Sequence, residues 1–106
     1  MPNASGLSYC SDVEKPSKSV YRQTAADFII VELDLAITFC QIALSTDNPV
    51  SANRNTENAT FALRAALSAE KRLDIRLRDK RIIDQKRFPA ESLLVELARR
   101  ATWIAD

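Results

Sequence analysis

Glycine and histidine are almost missing from this chain of 106 residues, which contains one glycine and no histidine. Because glycine supplies the left-handed backbone conformations of tight turns and phosphate-binding loops, its scarcity argues against an all-β fold and against glycine-rich nucleotide-binding motifs. Without histidine, one chain cannot build a Ser-His-Asp or Cys-His nucleophilic system or a histidine-containing zinc site. We therefore expect an all-α protein that is not an enzyme, with no catalytic residues, metal or cofactor.

Cysteine is also scarce, with Cys10 near the N-terminus and Cys40 inside an apolar run. Two cysteines placed in this way do not form a disulfide framework, and we interpret Cys40 as a small core residue. No segment near the N-terminus combines a basic start, an apolar core and a small-residue cleavage site, so nothing indicates secretion. The sequence favours a cytoplasmic protein.

Apolar residues dominate the stretch from Asp27 to Ser45, which predicts a helix with almost no solvent-facing side. At 100° per residue its polar side chains, apart from Glu32, fall into one narrow stripe. Such a helix has to be covered by several other elements, either from its own chain or from a second copy. The polar stripe consists of Asp27, Asp34, Thr38, Gln41 and Ser45.

The same stretch is close to the length of a short membrane span. However, Glu32, Asp34 and Gln41 lie inside it, and each would be costly in lipid. We therefore predict that the helix is buried in protein and that the chain makes no membrane contact.

Capping signals divide the remaining sequence into further helices. Thr24 is a good N-cap for a first helix, Thr24–Ser45, and Asn48 followed by proline marks the start of a second, Pro49–Leu77. Pro89 restricts the residue before it and predicts the start of a last helix, Pro89–Ile104. Between residues 78 and 88 the sequence is compatible with a kink or with a straight continuation of the second helix.

These segments predict an antiparallel helical hairpin and a C-terminal helix, a three-helix bundle-like domain over residues 24–106, after a flexible tail at residues 1–23. Alanines of the second helix, among them Ala59, Ala62 and Ala66, share one face and allow close approach of a neighbouring helix. The first helix needs more cover than two such partners give, so we predict a homodimer or larger assembly. The expected interface comprises Val31, Leu35, Ile42, Phe61 and Trp103.

Charge is unevenly distributed along the chain. Residues 1–60 contain four basic and seven acidic side chains, whereas residues 61–106 contain eleven basic and seven acidic ones, so the halves could attract one another within a fold or between protomers. A basic cluster within the second half is a candidate patch for nucleic acid. It consists of Lys71, Arg72, Arg76, Arg78, Lys80, Arg81, Lys86 and Arg87.

Acidic residues dilute that cluster, which favours a solvated, salt-bridged surface over a nucleic-acid site. Asp74 with Arg78 and Lys80 with Asp84 are spaced as i,i+4 ion pairs on an exposed helix. Docking of the patch on an acidic protein surface is a further alternative.

Glu32 differs from the other carboxylates because it projects among apolar residues, away from the polar stripe. A carboxylate in that setting is expected to have a raised pKa or an arginine partner, for which Arg64, Arg99 and Arg100 are candidates. We favour an ion pair at a helix or subunit interface, and an enzyme or small-molecule binder built around Glu32 is the less favoured alternative. Asp34 is expected on a solvated face, within reach of Arg54 or Glu57.

Small and large residues follow a recurring spacing from about residue 32 to residue 73, in the order Leu35, Ala36, Phe39, Ala59, Leu63 and Ala66. This spacing resembles one tetratricopeptide-repeat hairpin. Glu32 stands where that family prefers tryptophan, the interval between Ala36 and Ala59 is about eleven residues too long, and Lys71 replaces the closing proline. The chain also resembles small bacterial helical-hairpin proteins of unassigned function.

The resemblance implies protein–protein recognition, although the family's binding groove is formed by several stacked repeats and no second repeat follows here. Together with the surplus apolar surface, it leads to the hypothesis of a non-catalytic interaction or self-assembly protein of the bacterial cytoplasm. The alternative is a nucleic-acid-associated protein that uses residues 71–87.

Overall fold

The computed structural model describes the backbone of residues 18–105 and the side chains of residues 20–101. This part of the chain forms three helices: α1, Lys18–Ser45; α2, Pro49–Arg72; and α3, Leu77–Ala105. α1 packs against both of the others, and α2 and α3 share a smaller contact. The predicted all-α, three-helix bundle-like architecture is confirmed, and its completion by a second copy stays a prediction.

The buried face of α1 forms the centre of the core. Its members follow one another at intervals of three and four residues, the spacing with which helices pack at small crossing angles. Cys40 is fully buried, as predicted, and its burial raises the pKa of the thiol. The face consists of Ala26, Ile29, Leu33, Ala36, Cys40 and Ala43.

Small residues also form the buried face of α2. Ala59, Ala62, Ala66 and Ala69 are all buried, with Leu63 beside them. This burial confirms the buried face predicted from the alanine spacing, and the single methyl group of alanine allows the backbones of α1 and α2 to approach closely.

Asn48 begins α2 as the sequence predicts. Its side-chain oxygen accepts hydrogen bonds from the backbone N–H groups of Val50 (2.9 Å) and Ser51 (3.2 Å), with Pro49 in the first helical turn. These bonds satisfy donors that have no partner within the helix. The three-residue turn before α2 makes α1 and α2 antiparallel neighbours.

α1 begins six residues earlier than predicted. Thr24 lies in the helix interior, where its hydroxyl donates a 3.0 Å hydrogen bond to the carbonyl of Val20, so it does not cap the helix. The first part of α1 is tied to the bundle by the burial of Ala25 and Ala26 and by the ion pair of Arg22 with Asp74. Residues 18–23 of the expected tail are therefore helical, and residues 1–17 lie outside the described residues.

α2 ends at Arg72, so the prediction that it continues to Leu77 is wrong. Leu73 has an extended backbone (φ −105°, ψ 153°), and Ile75 is buried in the core. Asp74 pairs with Arg22 of α1 at 2.8 Å. These long-range contacts break the helix without glycine or proline, and Leu77 becomes exposed instead of extending the buried stripe.

α3 begins at Leu77 and continues through Pro89, so the prediction that a helix starts at this proline is also wrong. Ile83, Ala90 and Leu97 are buried at seven-residue intervals on both sides of Pro89. A continuous helix presents all three to the core, and their burial outweighs the backbone hydrogen bond that proline cannot make. Residues 78–88 are the first part of α3.

α3 runs alongside α1 in the same direction. Near their starts Arg76 donates a hydrogen bond to Gln23, and midway Lys86 pairs with Asp34 at 2.8 Å. Further along, Leu97 packs in one cluster with Cys40. The Lys86–Asp34 pair joins the basic half of the chain to its acidic half. The uneven charge distribution was compatible with attraction within one chain or between two, and this pair lies within one chain.

Leu33 and Leu35 offer a matched test of the core, because Leu33 is fully buried and Leu35 is 40% exposed. We expect Leu33→Ala to lower the free energy of unfolding by about 2–5 kcal/mol through lost burial and a residual cavity. Leu35→Ala should lower it by less than about 1 kcal/mol. Urea unfolding at low protein concentration measures both, and equal losses would contradict the assignment of the buried face.

Pro89→Ala should stabilise the protein, because alanine restores the N–H group that proline lacks inside α3. We expect the free energy of unfolding to rise by about 1–3 kcal/mol, after allowance for the greater freedom of the unfolded chain. Pro49→Ala is the control, since a first-turn N–H has no partner within the helix, and its effect should stay within about 1 kcal/mol. A lower stability for Pro89→Ala would contradict a continuous α3.

Candidate interaction surface on helix α1

The side of α1 that faces away from the core is covered by large apolar residues. Tyr21, Phe28, Val31, Leu35 and Ile42 are each between 40% and 54% exposed. Together with the exposed hydroxyl residues between them they form a continuous row, which we call the α1 stripe. The stripe consists of Tyr21, Thr24, Phe28, Val31, Leu35, Thr38, Ile42 and Ser45.

The stripe follows a seven-residue repeat. Tyr21, Phe28, Leu35 and Ile42 occupy one position of the repeat, and the residues three places further on occupy a second. This spacing of three and four residues keeps a row of side chains on one side of a helix over several turns and is typical of helices that pair in coiled coils. α1 therefore has two apolar faces, of which the bundle covers one.

Acidic side chains line both edges of the stripe. On one edge Asp27 accepts a 3.0 Å hydrogen bond from Gln23, and Asp34 accepts one of 2.8 Å from Lys86 of α3. On the other edge lies Glu32, which is half-buried. A partner of the stripe would meet these carboxylates at its margins.

Glu32 does not have the arginine partner that we expected. Among the described residues no hydrogen bond or ion pair involves Glu32, and Arg99 and Arg100 instead bind Glu96. The hydrogen bond from Arg99, with a smaller contribution from Arg100, lowers the pKa of the Glu96 carboxyl. Asp34 likewise pairs with Lys86, not with Arg54 or Glu57.

A cleft of about 530 Å³ lies away from Glu32, where the α1–α2 turn faces the last described residues of α3. Two of its polar side chains are already engaged: Asn48 caps α2 and Arg100 pairs with Glu96. Because Glu32 does not line this cleft, the cleft does not support the alternative of a ligand site built around Glu32. Over the described residues, no group of three or more acidic or cysteine side chains is placed to hold a metal ion.

Three of the five predicted interface residues lie together on the α1 stripe: Val31, Leu35 and Ile42. Phe61 is exposed on the face of α2 opposite its buried alanines, away from the stripe, and the side chain of Trp103 lies outside the described residues. Sequence reasoning missed Tyr21 and Phe28, although their seven-residue spacing to Leu35 was a readable signal.

The candidate basic patch is partly neutralised by ion pairs. Arg76 pairs with Asp79, Lys86 with Asp34, and Arg87 with both Glu70 and Asp84. The expected pairs of Asp74 with Arg78 and of Lys80 with Asp84 are replaced by other partners.

The remaining basic residues do not share one face. Lys71 and Arg72 lie at the end of α2, whereas Arg78, Lys80 and Arg81 lie in the first turns of α3. Arg78 and Lys80 are two positions apart and therefore point to different sides of the helix. The structure therefore supports a nucleic-acid site less strongly than the number of basic residues in this segment would suggest.

The segment Val20–Ser45 of α1 is long and apolar enough to cross a membrane, by length and composition only. Its mean hydropathy reaches 1.8, and 28% of the most apolar window is buried. Core helices and N-terminal signal sequences meet the same criterion. Most of the exposed apolar side chains in this segment belong to the α1 stripe.

Comparisons with protein-family models, with curated proteins and with solved structures find no match. The similarity of residues 32–73 to one tetratricopeptide-type hairpin therefore stays a prediction, as does the similarity to small bacterial helical proteins. Function has to be inferred from the α1 stripe itself.

The Glu96 pair with Arg99 and Arg100 predicts a pH effect. We expect the Glu96 carboxyl to titrate below its ordinary value of 4.5, and Arg99→Ala to move its pKa back towards that value. Because the folded pKa is lowered, this pair stabilises the fold above the unfolded pKa, and that contribution is lost as pH falls through the folded pKa. NMR titration of the carboxyl carbon measures the shift, and an unchanged pKa in Arg99→Ala would contradict it.

Proposed function

We propose that this chain is a non-catalytic protein of the bacterial cytoplasm that acts through protein–protein interaction or self-assembly, with the α1 stripe as its binding surface. The observation that carries this proposal is the row of five large apolar side chains exposed along one helix. Single exposed apolar residues are ordinary on soluble proteins, whereas a continuous row indicates a surface that binds.

The dimensions of the stripe support this proposal. From Tyr21 to Ser45 it extends for about 36 Å at 1.5 Å per residue. Tyr21 and Phe28 are aromatic residues, a type that is enriched at interfaces, and about half of each (48% and 47%) is still exposed for a partner to cover. The stripe thus offers a long, narrow contact of the kind that another helix fills.

The chemistry of the described polar groups supports a non-catalytic role. Asp27 and Asp34 are hydrogen-bonded to Gln23 and Lys86, so both carboxylates already make structural contacts at the helix surface. The alternative of nucleic-acid binding through residues 71–87 has less support, because Arg76, Lys86 and Arg87 are held in ion pairs.

Val31 and Val95 provide a matched test, since both are exposed valines on helices and only Val31 belongs to the stripe. The immobilised full chain is incubated with lysate from its source organism and with a differently tagged second copy. We expect wild type and Val95→Glu to retain the same partner protein, either from the lysate or the tagged second copy. The amount retained by Val31→Glu should be at least about ten-fold lower, because a buried unpaired carboxylate is costly.

Circular dichroism and thermal unfolding check that both variants keep the fold. Retention of nothing by the wild type, or equal retention by Val31→Glu and wild type, would contradict the proposed use of the stripe. A salt-sensitive capture of RNA or DNA that is unaffected by Val31→Glu would instead favour the nucleic-acid alternative.

A further inference from the structure

We infer that the occupant of the α1 stripe is the α1 stripe of a second copy, packed antiparallel about a twofold axis close to residue 33. The inference rests on the proposed interaction function and names its partner. It follows from the sizes of the stripe residues and from the hydrogen bonds of their threonine and serine hydroxyl groups, and the charges at the edges limit its strength.

Large and small residues alternate along the stripe. The first position of the repeat carries four large side chains, and the second carries smaller ones, with valine the largest of them. When two such helices pack antiparallel, first positions face second positions of the other copy, so that each large residue meets a small one. The opposed residues are Tyr21 and Ser45, Phe28 and Thr38, Leu35 and Val31, and Ile42 and Thr24.

A parallel arrangement would place like against like. Phe28 would then face Phe28 of the second copy, which crowds two large side chains together. Thr38 would face Thr38, which leaves space between two small ones. Well-packed interfaces have the density of protein interiors, and both crowding and voids are costly. The antiparallel register fills every layer, and it does so over the full length of the stripe.

The threonine and serine hydroxyl groups of the stripe are already hydrogen-bonded within α1. Thr24 donates to the carbonyl of Val20 (3.0 Å), Thr38 to that of Asp34 (2.9 Å), and Ser45 to that of Ile42 (3.1 Å). A buried hydroxyl is costly only when it lacks a hydrogen bond. All three residues can therefore be covered by an apolar partner surface without leaving an unsatisfied donor.

The edges of the stripe determine how tightly two copies can bind. In the antiparallel register Asp34 lies opposite Asp34 of the second copy, and Glu32 lies opposite Glu32. Each Asp34 is paired with Lys86 of its own chain, which offsets its charge. Since Glu32 has no ion pair among the described residues, the two Glu32 carboxylates are the main repulsive element, and removal of this charge should tighten the dimer.

Light scattering behind a sizing column, from a few to some hundreds of micromolar, tests the assembly. We expect wild type and Val95→Glu to reach twice the 11.9 kDa chain mass, and Val31→Glu to remain monomeric. Glu32→Gln should lower the dissociation constant about ten-fold, because like charges facing one another are costly. That gain would show that Glu32 lies at the interface between the two copies, and the orientation of the copies is tested separately.

Spin labels test the orientation in a chain carrying Cys10→Ser and Cys40→Ala. A label at Asp47, in the turn that follows α1, should be about 42 Å from its symmetry mate in the antiparallel dimer, and a label at Gln41 about 24 Å. In a parallel dimer both pairs would be closer than about 20 Å. A register shifted by one repeat would change both antiparallel distances by about 10 Å.

The outcomes separate this inference from the proposed function. A monomeric wild type, a dimer that survives Val31→Glu, or short label distances would each overturn the antiparallel self-pairing. Capture of a different protein that depends on Val31, with a monomeric chain, overturns the inference and leaves the proposed function standing. If the wild-type chain sediments with phosphatidylcholine vesicles and the Val31→Glu variant does not, the occupant of the stripe is a lipid surface. Both proposals then fail.

Discussion

The close packing of α1 against its two neighbours through small residues is the constraint on which the rest of the structure depends. Ala36 and Cys40 of α1 and Ala66 of α2 are almost completely buried, and they hold the helices near one another where larger side chains would separate them. The large side chains of the core, Leu33 and Ile83 among them, fill the space between the three helices. Because the bundle surrounds α1 on two sides only, the third side of an apolar helix is left uncovered.

That geometry places a buried and an exposed apolar face on a single helix. The buried face of α1 and the α1 stripe lie on the same 28-residue helix, each with a seven-residue repeat. Residues two positions apart therefore differ in their surroundings: Leu33 is fully buried in the core, whereas Leu35 and Val31 are exposed. Neighbouring side chains point in different directions, so a substitution on one face leaves the side chains of the other face in place.

Electrostatics directs the arrangement more than it stabilises it. Arg22 with Asp74 and Lys86 with Asp34 are partly exposed pairs, and such pairs contribute little to the free energy of folding. Their value lies in position, because they join the start and the middle of α1 to the segment that leads into α3 and to α3 itself. They accompany the parallel course of α3 along α1, and the pairing of Asp34 reduces the charge at one edge of the α1 stripe.

Local chemistry in the sequence was sufficient to predict the helical class, the Asn48 cap, the buried alanines of α2 and the burial of Cys40. Each depends on the spacing of residues along one helix or on a contact within one turn. The helix break before Leu77 and the passage of α3 through Pro89 depend on long-range burial, of Ile75 in the first case and of Ala90 with its neighbours in the second. For the candidate site, the sequence showed an excess of apolar surface on α1, and only tertiary packing decided which face stays exposed, because periodicity gives relative directions around a helix and not the side on which the other helices pack.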